Sequence, residues 1–542
     1  LFYLAITLIV LAIALCVPLI VPIGSMYWDS YLYLDAAQRI RMGQVPNLDF
    51  AAPVGPLGYY LFTLGLAIFP HAQLLLLAQW SVLAVAAPLM GVVMMDLAPR
   101  NRAVAFALLI PFLVFAIAPA NVQSFTSYPG LDGFGIYNRH TALLLYVMMC
   151  GLLFMRDKRR LAAFCATVML CLFMMKITGF LVGGLFGLVA LLARRISVRH
   201  VILTAIFYVA ALLVLELNRH MTTAYIAVIA QLIGLNENAI LPRFLTVMSA
   251  KVDLIVPAGL LVLVLLWVEA TRGDRSVRLV DSSPVWLSVA LAGGIVLETL
   301  NTGSQEFIFL WPVLVMIYLR IRPLDDKARL IFIGLAAFCV IPLSASVAQK
   351  TLRAIAVAPT YVQPPVTELR NMAQVSTRPD IMERALLMED HYTRYGPAYE
   401  ALARQNQLPS WRFYAELDYQ MYWLISADSM VKALRQFETR HGIRLESLMT
   451  LDFVNPFPWI LDRDAPRAVQ IGGDPTRTVP DMTPETKAAI EATDGVLRPK
   501  CPITSARLAL QRIYGDALRD RNLIQLDPCW DLLLRPGILP AG

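Results

Sequence analysis

Across the first 348 residues, basic side chains gather in clusters separated by apolar blocks, and this alternation constrains the fold more than any motif does. The clusters are Arg100/Arg102, RDKRR at 156–160, RRISVR at 194–199, Arg272/Arg275/Arg278 and Arg320/Arg322/Lys327/Arg329. A helix crossing a bilayer needs roughly 20 apolar residues, because lipid offers the backbone no hydrogen-bond partner. Basic clusters that recur after every second block place those loops on the cytoplasmic side. This spacing predicts about eleven spans, near 1–23, 72–95, 103–120, 140–155, 161–175, 177–193, 201–217, 252–270, 284–300, 307–320 and 329–348. The expected fold class is a polytopic α-helical membrane protein with a soluble C-terminal domain.

Composition agrees, with 58% hydrophobic residues and only 16% charged. The net charge of +7 does not indicate nucleic acid as a partner: residues 349–542 hold 23 Lys and Arg against 23 Asp and Glu, so the excess lies in the membrane half. The partner this distribution calls for is the bilayer. Segment 1–23 is long for a signal-peptide core and lacks a small-x-small cleavage site, which favours a retained anchor.

The expected organisation is a transmembrane module over 1–348, a linker over 349–377 containing QPPVTEL, and an extracytoplasmic α/β domain over 378–542. The tail begins with a helical pattern at 378–405. Strand-like runs follow at 448–453, 467–471 and 530–534, with a helix near 504–520. By this topology the outward segments are 24–71, 121–139, a tight turn at Lys176, 218–251 and 301–306. They are richer in aromatic, Asp, Asn and Gln residues than the cytoplasmic turns, so function is expected there. Within the first of them, 54–69 reads as a helix lying at the interface, with Tyr59 and Tyr60 at the level where amphipathic rings collect. Cys501 and Cys529 lie in the tail, where a disulfide would persist; a bridge and two separate thiols are both compatible with the sequence.

The first outward loop carries the chemistry-bearing stretch, GSMYWDSYLYLDAAQRIRMGQVPNLDFAAPVGPLGYY at 24–60. Its centre has the pattern of a short amphipathic helix closed by Gly43, with Asp29 at the N-terminal end. Asp29 suits an N-cap, and Asp35 an i,i+4 pair with Arg39. The order of features resembles another arrangement: an apolar span, an Asp, Ala-Ala-x-Arg and Gly-Gln, Asp-Phe, then Pro-Leu-x-Tyr-Tyr. It resembles the first outer loop of the GT-C superfamily, integral membrane glycosyltransferases that take sugar from a polyprenyl-phosphate donor. Relatives include protein O-mannosyltransferases and the aminoarabinose transferase of lipid A. The motif resemblance covers residues 28–60, and the many spans with an outward C-terminal domain extend it to the architecture.

That resemblance implies an inverting transfer of sugar from a lipid-linked donor to a lipid, glycan or protein acceptor on the periplasmic side of a bacterial inner membrane. It also implies Asp29 as catalytic base. Asp49, in NLDFAAP, is the second choice, with a turn-stabilising role as its alternative. Many members carry Asp-Glu where this chain has Asp29-Ser30, so a carboxylate pair or a metal-dependent version is not expected here. No cofactor is firmly implied, and a loosely held divalent ion stays open.

The leaving phosphate needs positive charge on the same face. Lys176 in FMMKITGF interrupts two apolar segments, and ionisable residues at such depth are functional by default, although a lysine there can also snorkel. Its KxTG turn also looks like a feature that recurs in this superfamily. Arg139 and His140, in GLDGFGIYNRH, are further phosphate candidates or interface anchors, and Arg243 is a lesser one. Asn138, Glu298, Asn301 and Glu306 offer the acceptors and amides a sugar or acceptor needs, as a polar turn also would. The six histidines are scattered without ligand spacing, and no phosphate-binding glycine loop, nucleophile elbow or HExxH motif is present, so no metal site is expected. Two rival readings are a flippase or transporter of lipid-linked saccharides and an inactive assembly subunit. A transporter would carry polar residues near mid-span and broken helices in paired positions; here polar residues concentrate at the outward ends.

Overall fold

The computed structural model describes residues 1–120, 126–236, 240–272, 279–300, 307–321 and 326–539. Asn301, Gln305 and Glu306, together with Arg275, Arg278 and Arg322, lie outside the described residues.

The chain is mostly helical. Its first half runs through α1 (Phe2–Cys16), α2 (Asp29–Arg41), α3 (Leu57–Ile68), α4 (Leu74–Ser81), α5 (Leu83–Leu97), α6 (Arg102–Ile117), α7 (Ile136–Phe154) and α8 (Lys158–Met175). It continues with α9 (Ile177–Leu192), α10 (Val198–Arg219), α11 (Met221–Asn236), α12 (Ile240–Ala250), α13 (Val252–Arg272), α14 (Ser283–Thr299), α15 (Leu310–Ile321) and α16 (Asp326–Val357). A helix stands at each segment where a span was expected. Among the described residues four stretches, Leu74–Leu97, Val198–Arg219, Val252–Thr271 and Asp326–Thr360, are long and apolar enough to cross a bilayer. The molecule is a multi-pass membrane protein. α10 has no buried residue, and Leu217 on it is 84% exposed. So large an apolar face has no place in water and suits lipid.

Two departures concern extent. The 218–251 segment, read as a loop, is the helix pair α11 and α12, as its apolar run Ala-Val-Ile-Ala-Gln-Leu-Ile allows. α16 continues to Val357, well past the expected end at 348, because Gln-Lys-Thr-Leu-Arg-Ala carries no helix breaker.

α7 is the hub, buried along almost its whole length and packed on α5, α6, α8, α9 and α15. Among the described residues, Arg100, Arg195 and Arg320, from three of the basic clusters, meet at one end of this bundle. Arg100 donates to the Phe154 carbonyl at 2.9 Å, and Arg195 to the Leu153 carbonyl at 3.0 Å. Asp281 binds both Arg195, at 2.6 Å, and Arg320, at 3.0 Å. The loop 24–71 is therefore at the opposite end, where α7 begins.

Strand β1 (Val21–Pro22) pairs in parallel with β2 (Val375–Ser376), which ties the start of that loop to the chain beyond α16. The C-terminal region contains α17 (Pro379–Arg394), α18 (Gly396–Arg404), α19 (Trp411–Ala415), α20 (Leu417–His441), α21 (Phe457–Leu461), α22 (Pro484–Ala492), α23 (Ser505–Ile513) and α24 (Gly515–Leu518). They surround a sheet of β3 (Leu448–Thr450), β4 (Gly495–Pro499), β5 (Asn522–Gln525) and β6 (Trp530–Leu534), in the order β3-β4-β6-β5. β3 and β4 run parallel, and β6 is antiparallel to both neighbours. Cys501 and Cys529 are joined in a disulfide between the end of β4 and the start of β6. The expected strand at 467–471 is absent: the Ala468 amide donates to the Asp49 carbonyl, at 2.6 Å, and the Ile471 amide to the Ala51 carbonyl, at 3.0 Å. Its backbone is spent on the 24–71 loop instead of a sheet.

Candidate active site

Besides the 463–471 segment, three neighbours hold the 24–71 loop. From α20, Gln420 donates to the Gly24 carbonyl at 3.0 Å and accepts from the Tyr27 amide at 2.8 Å, so both sides of one amide fix the entry to α2. The segment before α7 exchanges backbone bonds with it, Gly24 donating to Leu131 at 2.8 Å and Leu131 to Pro22 at 2.9 Å. The Gly55 amide donates to the Met175 carbonyl at 3.1 Å, and a Cβ at that glycine would run into the Met174 carbonyl. Glycine thus lets PVGPLGYY press against the α8–α9 turn.

Asp29 is the first residue of α2, yet it does not cap it; the capping position is Trp28, without a side-chain bond. Its carboxylate reaches across the fold and accepts from the Gly135 amide at 2.9 Å. Gly135 has φ +62°, a left-handed conformation that glycine adopts without strain, and immediately precedes α7. Asp29 therefore sits at the N-terminus of the central helix. Burial pushes its carboxyl up, the Gly135 amide pulls it down, and the negative charge of Asp132 pushes it up again. Burial wins, and the carboxyl titrates at about 7. Tyr33 and Tyr59 lie close enough for its charge to act on them, with their rings 5.2 Å apart, and Tyr137 adjoins both tyrosines.

Lys176 closes α8 and opens α9. Its ammonium donates to Asn138 Oδ1 at 2.7 Å and lies 4.6 Å from the centre of the Tyr137 ring. Burial lowers its proton affinity, Arg243 lowers it further, and Glu298 opposes both. The first turn of α7 thus mounts a carboxylate through Gly135 and an ammonium through Asn138. Glu298, buried at the end of α14, stands 3.9 Å from Lys251, and Arg243 on α12 donates to Asn236 at 3.0 Å.

The other sequence candidates are engaged elsewhere. Asp49 accepts from its own Val45 amide at 2.7 Å and from Arg467 at 2.9 Å, which makes it a turn former and an anchor for the C-terminal region. Arg139 is buried and donates to the carbonyls of Ala118, at 2.5 Å, and Phe115, at 3.4 Å, at the end of α6. His140 is buried with Nε2 3.2 Å from the Gln79 carbonyl. Neither contact points to the Lys176 cluster. Asn301 and Glu306 fall outside the described residues.

Sequence reading passed over Asp132 and Tyr137, which lie in the same GLDGFGIYNRH stretch as Asn138. The closely spaced glycines were the available signal, since Gly130 and Gly133 let that segment meet the start of the 24–71 loop backbone to backbone. Among the described residues no group of three His, Cys, Asp or Glu side chains is placed to hold a metal ion.

No family model and no curated protein matches the chain. Two solved structures are similar to it at a distance. One is the crystal structure of ArnT from Cupriavidus metallidurans in the apo state, 13% identical, covering 98% of each chain with a TM-score of 0.42. The other is ArnT from the same organism bound to undecaprenyl phosphate, 14% identical, covering 100% of this chain and 99% of that one with a TM-score of 0.44.

Proposed function

We propose that this chain is a membrane glycosyltransferase that moves a sugar from a polyprenyl-phosphate carrier to an acceptor hydroxyl or amine at the end of the bundle bearing the 24–71 loop. The observation that carries the reading is the pairing on one turn of α7: the Asp29 carboxylate at Gly135 and the Lys176 ammonium at Asn138. With that end outward, as the basic clusters imply, the reaction takes place on the periplasmic side of a bacterial inner membrane, and the C-terminal region lies there too.

The transfer needs two charges handled at once. The acceptor oxygen or nitrogen forms a bond to the anomeric carbon while the bond from that carbon to the phosphate oxygen breaks. The electron pair leaves with the lipid phosphate, and the acceptor proton goes to Asp29. A base titrating near 7 is matched to neutral pH, where it is substantially ionised yet still basic. Lys176 faces the charge that develops on the phosphate, and in a dry site such a charge is worth more than in water. Tyr33 and Tyr59 pack close to the carboxylate. One-step displacement inverts the anomeric centre.

The test uses the purified full chain with radiolabelled sugars on undecaprenyl phosphate. Asp29→Asn should lower transfer by about 10²- to 10⁴-fold while leaving carrier binding intact. Lys176→Gln should weaken carrier binding. Full transfer by a folded Asp29→Asn protein would remove Asp29 as the base. Saccharide movement across vesicles without any transfer would favour the flippase reading.

A further inference from the structure

Beside Asp29 and Lys176, two buried hydrogen-bonding groups have no partner among the described residues. One belongs to Asn138. Lys176 reaches its Oδ1 at 2.7 Å, and an ammonium can only donate, so the bond fixes which way the amide is turned. Nδ2 then points away from Lys176 with both its N–H groups, in a side chain that is fully buried, and meets no acceptor. The other is the hydroxyl of Tyr33, a residue 2% exposed. Buried polar groups are nearly always hydrogen-bonded, and two left open in one place call for a ligand.

Both stand next to the carboxylate. Gly135, whose amide holds Asp29, lies so near Nδ2 that a Cβ on it would come within 3.0 Å. Tyr33 follows Asp29 by four residues on α2, hence on the same face, and is close enough for the charge of Asp29 to act on it. Its ring is braced by Tyr59, at 5.2 Å, and Phe62, at 5.3 Å. Tyr137, over whose ring Lys176 lies at 4.6 Å, adjoins it as well. The open groups therefore span the interval from the carboxylate that takes the acceptor's proton to the ammonium that faces the leaving phosphate. In a displacement that interval belongs to the sugar.

Their chemistry limits which sugar fits. Nδ2 only donates, and a tyrosine hydroxyl gives one bond or accepts. A sugar hydroxyl accepts from both. An ammonium on the sugar has no lone pair to accept with, would meet the N–H groups of Nδ2 hydrogen to hydrogen, and would bring a second cation beside Lys176. Of the carboxylates nearby, Asp29 is committed to the acceptor's proton and Glu298 stands 3.9 Å from Lys251.

We propose that Asn138 Nδ2 and the Tyr33 hydroxyl form the donor-sugar subsite and select a neutral, hydroxyl-bearing sugar over one that carries an ammonium. The proposal rests on the glycosyltransferase reading, since it is the transfer that puts a sugar in this interval.

The experiment measures binding to the full chain in phosphatidylcholine nanodiscs, where no acceptor need be known. The probes are undecaprenyl phosphate alone and two matched pairs of its sugar esters: arabinosyl with 4-amino-4-deoxyarabinosyl, and glucosyl with glucosaminyl. In at least one pair the neutral ester should bind about tenfold more tightly than the bare carrier, and its ammonium-bearing counterpart no more tightly than the carrier. Tyr33→Phe, which removes one oxygen, should lose most of the gain that the neutral sugar brings and keep the affinity for bare carrier. Asn138→Asp keeps an oxygen for Lys176 and puts an acceptor where Nδ2 was. With it the ammonium-bearing ester should bind at least as tightly as the neutral one, a reversal that a merely structural amide would not produce. The proposal is overturned if neither neutral sugar adds to the affinity of the carrier, if the ammonium-bearing esters bind the native chain as tightly as their neutral partners, or if either folded variant ranks the probes as the native chain does. In each of those cases the carrier still binds and the glycosyltransferase reading stands. Failure of every probe to bind, bare carrier included, removes that reading and the sugar subsite with it.

Discussion

Asp29 shows how a single residue is misjudged when only its own helix is considered. Its position at the start of α2 suits a cap, but its bond goes to Gly135, 106 residues away. That placement has a measurable pH consequence. A carboxyl that titrates at about 7 is protonated, and useless as a base, below that value. kcat/KM for transfer should therefore fall about tenfold for each pH unit below 7 and level off above it. An ordinary surface carboxylate would keep the rate flat down to about pH 4. A profile that stays flat between pH 5 and 7 would show that Asp29 is not the group whose ionisation limits the reaction. Lys176 stands out in the sequence as well, since a lysine between two apolar runs has few reasons to be there. Arg139 and His140 both turn to backbone carbonyls at helix ends, and a sequence shows that a side chain is charged and not which way it turns.

Among the elements, a helix could be read wherever an apolar run is closed by a break or a basic cluster, which α11 and α12 lack. The strands were harder. β3 and β6 lie in short runs of apolar residues, whereas β4 is Gly-Val-Leu-Arg-Pro and β5 is Asn-Leu-Ile-Gln, neither with a clear period of two. Beyond their ladder, β4 and β6 are joined by the Cys501–Cys529 bond, with the Tyr422 hydroxyl donating to Cys529 Sγ at 2.9 Å, and by Arg498 and Lys500 pairing with Asp531. The cross-link closes a loop of 28 residues, which by chain entropy stabilises this region by about 3–4 kcal/mol. The variant C501S/C529S should therefore unfold at lower temperature or denaturant than the native chain, and reductant should lower the native chain to the same point. Identical unfolding of variant and native chain would show that the sheet needs no cross-link.

At the scale of the whole molecule, the charge clusters foretold a bundle with two unlike ends, and the structure has them. They did not foretell that the C-terminal region grips the 24–71 loop. Gln38, Arg39 and Gln44 donate to the carbonyls of Arg463, at 3.0 Å, Pro466, at 2.6 Å, and Ala465, at 2.7 Å. Bonds from side chains to distant carbonyls leave no periodic trace in a sequence. Their effect is to make the position of Asp29 depend on a region far from it in the chain. Gln420 is the sharpest case, since it alone satisfies both the Gly24 carbonyl and the Tyr27 amide, two residues before Asp29. Gln420→Ala would leave its two backbone partners buried without it, at about 1–3 kcal/mol each, and the entry to α2 would shift to recover water or new bonds. A displacement of about 1 Å at a reacting group can cost on the order of 10²-fold in rate. Gln420→Ala should therefore lower kcat for sugar transfer by roughly 10- to 100-fold, with the affinity for undecaprenyl phosphate at Lys176 unchanged. Arg467→Ala, which removes a mostly exposed partner of Asp49, should change kcat less than about twofold, as exposed ion pairs contribute little. Loss of kcat and carrier affinity together in Gln420→Ala would mean general unfolding. Unaltered kcat in a folded Gln420→Ala protein would mean that the contacts of α2 with the bundle suffice to place the base.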